Sequence, residues 1–98
     1  MVKIKSEILD EIHEELRCAK TNVEDNVGWK RHFNKSMKMM KENNVFSEFD
    51  LSEFSLGIKM ASISMRESNR KTISESFESM MEEIKYLNKI LSNSRIIN

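Results

Sequence analysis

Apolar residues recur along much of the chain at alternating intervals of three and four, which places them on one face of an α-helix. In the first segment these residues are Leu9, Ile12, Leu16, Ala19 and Val23. The series predicts a helix over residues 3–20. Thr21 and Glu24 have the spacing of a capping box, and Gly28 disfavours helix, so we expect a break between residues 21 and 28.

The same spacing predicts a second helix over residues 29–42. Its apolar side consists of Trp29, Phe33, Met37 and Met40. Asn43 and Asn44 are suited to end this helix, because asparagine tolerates the left-handed backbone conformation found at many helix ends.

The strongest local signal is the start of a third helix. With Asp50 as N-cap, Glu53 falls at the capping-box position, while Phe49 and Phe54 occupy the two positions of a hydrophobic staple. This pattern predicts a helix beginning at Leu51.

The third helix is apolar on two opposite sides. One side carries Leu51, Phe54, Ile58, Ala61 and Met65. The other carries Leu56, Met60 and Ile63. Such a helix needs two partners, so we expect it either in the centre of a bundle or shared between its own core and another chain.

The last helix has the most regular spacing, through Ile73, Phe77, Met80, Ile84, Leu87 and Leu91. Thr72 and Glu75 are spaced to cap its start. The pattern slips by one residue over 68–71, which indicates either a break or a stutter within one long helix over residues 51–93.

These elements predict a single all-α domain over residues 1–98. Two architectures stay open: a small antiparallel bundle of three to four helices, or a hairpin of two long helices that meet at residues 43–50 and dimerise. A chain of 98 residues buries only about 60 to 65% of the surface that its unfolded form exposes, so a partner would add stability.

The arrangement of charged residues along the chain adds a candidate contact surface. Sixteen basic and sixteen acidic residues cancel overall, but they alternate in blocks along the chain. The second helix has a broad basic face made of Lys30, Arg31, Lys35, Lys38 and Lys41. This face is either a solvated side of the helix whose positive charge is balanced by the acidic first helix, or a contact surface for phosphates or an acidic protein.

The sequence contains few of the residue combinations that enzymes use for catalysis. The chain has two histidines, one cysteine and no glycine-rich phosphate loop. Asp10 and His13 form a single helical carboxylate–imidazole pair, whereas a di-iron bundle needs two such pairs. We therefore expect no enzyme activity, no cofactor and no metal site. Cys18 alone, together with charged residues at the start of the chain, predicts a cytoplasmic protein.

The sequence favours a non-enzymatic helical interaction protein: a regulator, inhibitor or adaptor that binds another protein, as a homodimer. The predicted interface residues are Leu56, Met60, Ile63, Met39 and Met81. The alternative is a nucleic-acid-binding regulator that uses the basic face of the second helix. Length and helical content are similar to those of bacteriocin immunity proteins and phage-encoded inhibitors, but no motif identifies a family.

Overall fold

A computed structural model describes residues 5–97 of the chain, with side chains through residue 93. Four helices occur in this part: α1 (Ser6–Glu24), α2 (Lys30–Glu42), α3 (Glu48–Ala61) and α4 (Glu67–Ile97). No strand is present among these residues. The all-α prediction is confirmed in its four-helix form. The hairpin of two long helices does not form, because turns over residues 25–29 and 62–66 interrupt both of its arms.

The antiparallel pair of α1 and α4 is the largest packing contact, and hydrogen bonds at both ends fix its register. At one end Ser6 Oγ donates to Asn88 Oδ1 at 2.7 Å, and Asn88 Nδ2 donates to Asp10 Oδ1 at 2.8 Å. At the other end Ser74 Oγ donates to Glu24 Oε2 at 2.9 Å. All five predicted apolar residues of the first helix are buried between these ends.

Asparagine ends both α1 and α2. Asn26 and Asn44 have φ angles of 58° and 50°, in the left-handed region that asparagine tolerates. After each one, a backbone amide bonds a carbonyl five residues back, Val27 N to Asn22 O at 2.9 Å and Val45 N to Met40 O at 3.0 Å. The predicted end of the second helix is confirmed.

The predicted end of the first helix is four residues too early. Thr21 and Glu24 lie inside α1 and cap nothing, because the helix continues until Val23 has been buried in the core. The left-handed residue Asn26 then ends it.

The start of α3 is also earlier than predicted. Ser47, not Asp50, is the N-cap, and its Oγ accepts a hydrogen bond from Asp50 N at 3.1 Å. The helix therefore begins three residues before Leu51, and Phe49 points to solvent instead of forming a staple. Phe46 takes the staple position before the cap, and it packs against the core.

A break, not a stutter, separates α3 from α4. Residues 62–66 are non-helical and α4 begins at Glu67, upstream of the expected slip. Thr72 lies inside α4, where its hydroxyl donates to Ser68 O at 3.0 Å, so Thr72 and Glu75 do not cap the helix. Ile73, Phe77, Met80 and Ile84 are buried as predicted, and Leu87 and Leu91 are partly buried.

Four aromatic rings join α2, α3 and α4. Trp29 immediately precedes α2, Phe33 lies in its first turn, Phe54 lies on α3 and Phe77 lies on α4. The centroid of the fully buried Phe77 ring lies 5.9 to 6.1 Å from the centroids of the other three. Tilted and edge-to-face pairs at such distances add to the stability gained by burying the rings.

Phe77→Ala should lower the free energy of unfolding by about 3 to 5 kcal/mol, because it removes a large buried ring and leaves a cavity. Phe49→Ala is the matched control, and this change on the surface should shift the free energy by less than about 0.5 kcal/mol. Urea denaturation followed by circular dichroism, at low protein concentration, measures both. Equal losses in the two variants would contradict the assignment of Phe77 to the centre of the core.

Candidate functional site

The outward side of α3 exposes a line of large apolar residues. Phe49, Leu56, Met60 and Ile63 are 70%, 61%, 63% and 81% exposed. Intervals of seven and four place Phe49, Leu56 and Met60 on one side of the helix, and Ile63 follows two residues after its end. We call these four residues the α3 stripe. Because Leu51 and Ile58 are buried on the opposite side, α3 is apolar on two sides as predicted, with one of them open to solvent.

Two of the predicted interface residues do not lie on this surface. Met81 is only 8% exposed, and Met39 is partly buried against the core. The inward side of α4 is wide enough to bury both Met80 and Met81, so Met81 fills space inside the chain. Met39 and Met81 are therefore core-packing residues, whereas Leu56, Met60 and Ile63 are exposed. Met65, predicted on the core side, is exposed beyond the end of α3.

The five basic residues of α2 are all exposed, but they face different neighbours. Lys35 Nζ lies 3.0 Å from Glu15 Oε1 on α1, where His32 Nδ1 also lies 2.7 Å from Glu15 Oε2. Lys38 Nζ lies 3.9 Å from Glu42 Oε1 on α2 itself. Within the described part of the chain, Lys30, Arg31 and Lys41 have no carboxylate within 4.0 Å. The acidic residues of α1 therefore form ion pairs with only part of this basic face.

Glu15 is the electrostatic link between α1 and α2. Its partial burial acts to raise the pKa of the carboxyl group, but hydrogen bonds with His32 and Lys35 and the charges of these residues outweigh that effect. The pKa of Glu15 therefore lies below its usual value. The folded state favours the ionised carboxylate, which holds the two helices together.

An open groove runs between α2 and α3. It consists of two adjoining depressions, of about 450 and 380 Å³, which share Met37, Lys41, Ser55 and Lys59. The apolar residues that line it are Phe33, Met37, Leu51 and Leu56. Lys38, Lys41 and Lys59 line it with exposed side chains. We call this feature the α2–α3 groove. It adjoins the α3 stripe through Leu56, and sequence spacing alone could not reveal it, because it depends on how the two helices lie together.

The titratable groups elsewhere offer little reactive chemistry. Partial burial raises the pKa of the Cys18 thiol, and the nearby Glu14 carboxylate adds to this effect. A thiol held in its protonated form is a weak nucleophile. Among the residues that the structure describes, no three His, Cys, Asp or Glu side chains converge as a metal site requires. Within the same part of the chain, no helix combines the length and the apolar character needed to cross a bilayer.

Comparisons of the chain with protein families, with curated proteins and with solved structures gave no match. The functional evidence is therefore the geometry of the α3 stripe, the α2–α3 groove and the basic residues around them.

Glu15→Gln tests the link between α1 and α2. Because folding lowers the pKa of Glu15, its contribution is present above the unfolded carboxyl pKa and is lost as pH falls from about 4.3 through the lower folded value. The variant should lose about 1 kcal/mol of unfolding free energy at pH 7. Its stability should also fall less steeply below pH 4 than that of the parent chain.

Glu11→Gln is the matched control for this experiment, since Glu11 is an exposed residue of the same helix with no ion pair in the described part of the chain. Urea titrations at pH 3, 4, 5 and 7 measure both variants. Identical pH profiles for the two variants would show that Glu15 does not link the helices.

Proposed function

We propose that this protein is a small helical interaction protein, a regulator, inhibitor or adaptor without catalytic chemistry, which acts by binding another protein as a homodimer. The observation that carries the proposal is the α3 stripe. Exposing the four large apolar side chains of the stripe to water costs free energy, and such patches mark interaction surfaces. A cytoplasmic location is part of the proposal and is supported by the single cysteine.

A second copy of the chain is the occupant that the charges around the stripe favour. Glu48, Asp50 and Glu53 lie in the first two turns of α3, whereas Lys59 lies in its last turn. A twofold axis brings the same patch of two copies together. If the two α3 helices run antiparallel, the acidic half of each meets the basic half of the other. Parallel pairing would bring like charges together.

The size of the stripe predicts the strength of this dimer. A standard stable interface buries about 800 Å² on each partner, across roughly 20 to 30 residues. Three side chains on a helix of 14 residues, with Ile63 just beyond its end, form the centre of a smaller contact. The core of each copy is also complete without the stripe, so we expect folded monomers in equilibrium with dimers.

The basic face of α2 supports nucleic-acid binding as a second candidate function. Lys30, Arg31, Lys38 and Lys41 are exposed and lie on a helix whose only carboxylate is Glu42. Binding through such a face releases counterions condensed on the nucleic acid, so it weakens steeply as the salt concentration rises. A fluorescence-anisotropy titration with labelled duplex DNA at low salt tests this candidate, because absence of binding there excludes it.

Met60→Asp should shift the equilibrium from dimer to monomer, because it puts a charge into the centre of the stripe. The side chain is 63% exposed, so the helical content of the monomer should be unchanged. Sedimentation velocity over a range of concentrations measures the dimer, and circular dichroism checks the fold.

Met60→Leu is the matched control and should keep the dimer, since it preserves the apolar character of the position. A parent chain that is monomeric at every concentration, or a Met60→Asp variant that dimerises as well as the parent, would refute the proposed dimer.

A further inference from the structure

We propose that the α2–α3 groove binds an acidic amphipathic helix of a partner protein. The inference rests on the proposed binding function and gives the chemistry of the partner. It concerns a surface that adjoins the α3 stripe and shares Leu56 with it.

The lining of the groove offers apolar contact to a partner. Met37 and Leu51 are core residues that line the groove but are only 8% and 2% exposed, so Leu56 is the exposed apolar residue that a partner can contact. The lining spans residues 33–42 of α2 and 51–59 of α3, which is about 13 Å at the rise of an α-helix. That length matches two turns of a bound helix with apolar anchors at positions i, i+3 or i+4, and i+7.

The charges of the groove select an acidic partner. Lys38, Lys41 and Lys59 line it, and Glu42 is the only carboxylate among its lining residues. Glu42 Oε1 lies 3.9 Å from Lys38 Nζ. In the described part of the chain, Lys41 and Lys59 have no carboxylate within 4.0 Å. Aspartates or glutamates flanking the apolar anchors of a partner would pair with these ammonium groups, and a basic partner would be repelled.

The combination of lysines with an apolar lining favours a protein over a nucleic acid. A phosphate backbone would pair with the lysines but would leave the exposed Leu56 uncovered. An amphipathic helix covers it, because its apolar face meets Leu56 while its acidic flanks meet Lys41 and Lys59. The methylene stems of these lysines extend the apolar contact further.

Fluorescence anisotropy with the full chain tests the proposal, with two labelled 18-residue helical peptides as probes. Both peptides carry leucine at positions i, i+4 and i+7 of one face, and one has glutamate where the other has lysine on the flanks. The glutamate peptide should bind at least tenfold more tightly than the lysine peptide.

Lys41→Glu should weaken binding of the glutamate peptide at least tenfold. Lys30→Glu makes the same charge change on α2 outside the groove lining and should leave binding within about twofold. Both lysines are exposed, so both variants should fold. Lys41→Met, which keeps the apolar stem, should give an intermediate loss.

Equal binding of the two peptides, no binding of either, or equal effects of Lys41→Glu and Lys30→Glu would overturn the proposal. Duplex DNA that binds and displaces the glutamate peptide would also overturn it in favour of a polyanion site. The dimer is measured separately, so a chain that dimerises without binding peptide refutes only the groove. A chain that binds peptide without dimerising refutes only the dimer.

Discussion

The contact of Phe77 with the aromatic rings of α2 and α3 is the interaction on which the arrangement of these helices depends. The antiparallel pair of α1 and α4 builds a two-helix layer, α2 packs mainly on α1, and this aromatic cluster joins α2 and α3 to α4. Phe54 is the ring that α3 contributes to this cluster, and Leu51 and Ile58 fill the rest of the inward side of α3. Because α3 lies at the edge of the bundle, its opposite side is left to solvent, and this is where the α3 stripe lies.

The cations of α2 lie in two different electrostatic environments. The acidic first helix uses Glu15 to engage His32 and Lys35, and this contact draws α2 toward α1. Lys38 and Lys41 lie beyond the reach of α1 and instead line the groove beside α3. The same run of basic residues thus has two environments. Beside α1, the basic residues stabilise the packing of two helices. Beside α3, their positive charge lies next to an apolar surface.

Periodicity predicted most of the fold because burial of one face is what makes each helix form. It gave the core residues of α1 and α4, and it gave the exposed apolar side of α3 through Leu56, Met60 and Ile63. Helix ends were less predictable, since they depend on competing caps. Ser47 and Asp50 both suit an N-cap, and the burial of Phe46 decides for Ser47. The prediction that Met81 lies at an interface was wrong, because the wide inward side of α4 buries two neighbouring positions. The groove could not be predicted, because it depends on the angle between α2 and α3.

The proposed dimer covers the α3 stripe, and the methionine methyl groups test this coverage. Met60 lies in the stripe, while Met40 is fully buried in the core. Methyl NMR spectra of chain labelled at its eight methionines, recorded over a dilution series, follow both sites. We predict that the Met60 signal shifts with concentration and that the Met40 signal does not. Spectra in which Met60 stays constant at every concentration would contradict the claim.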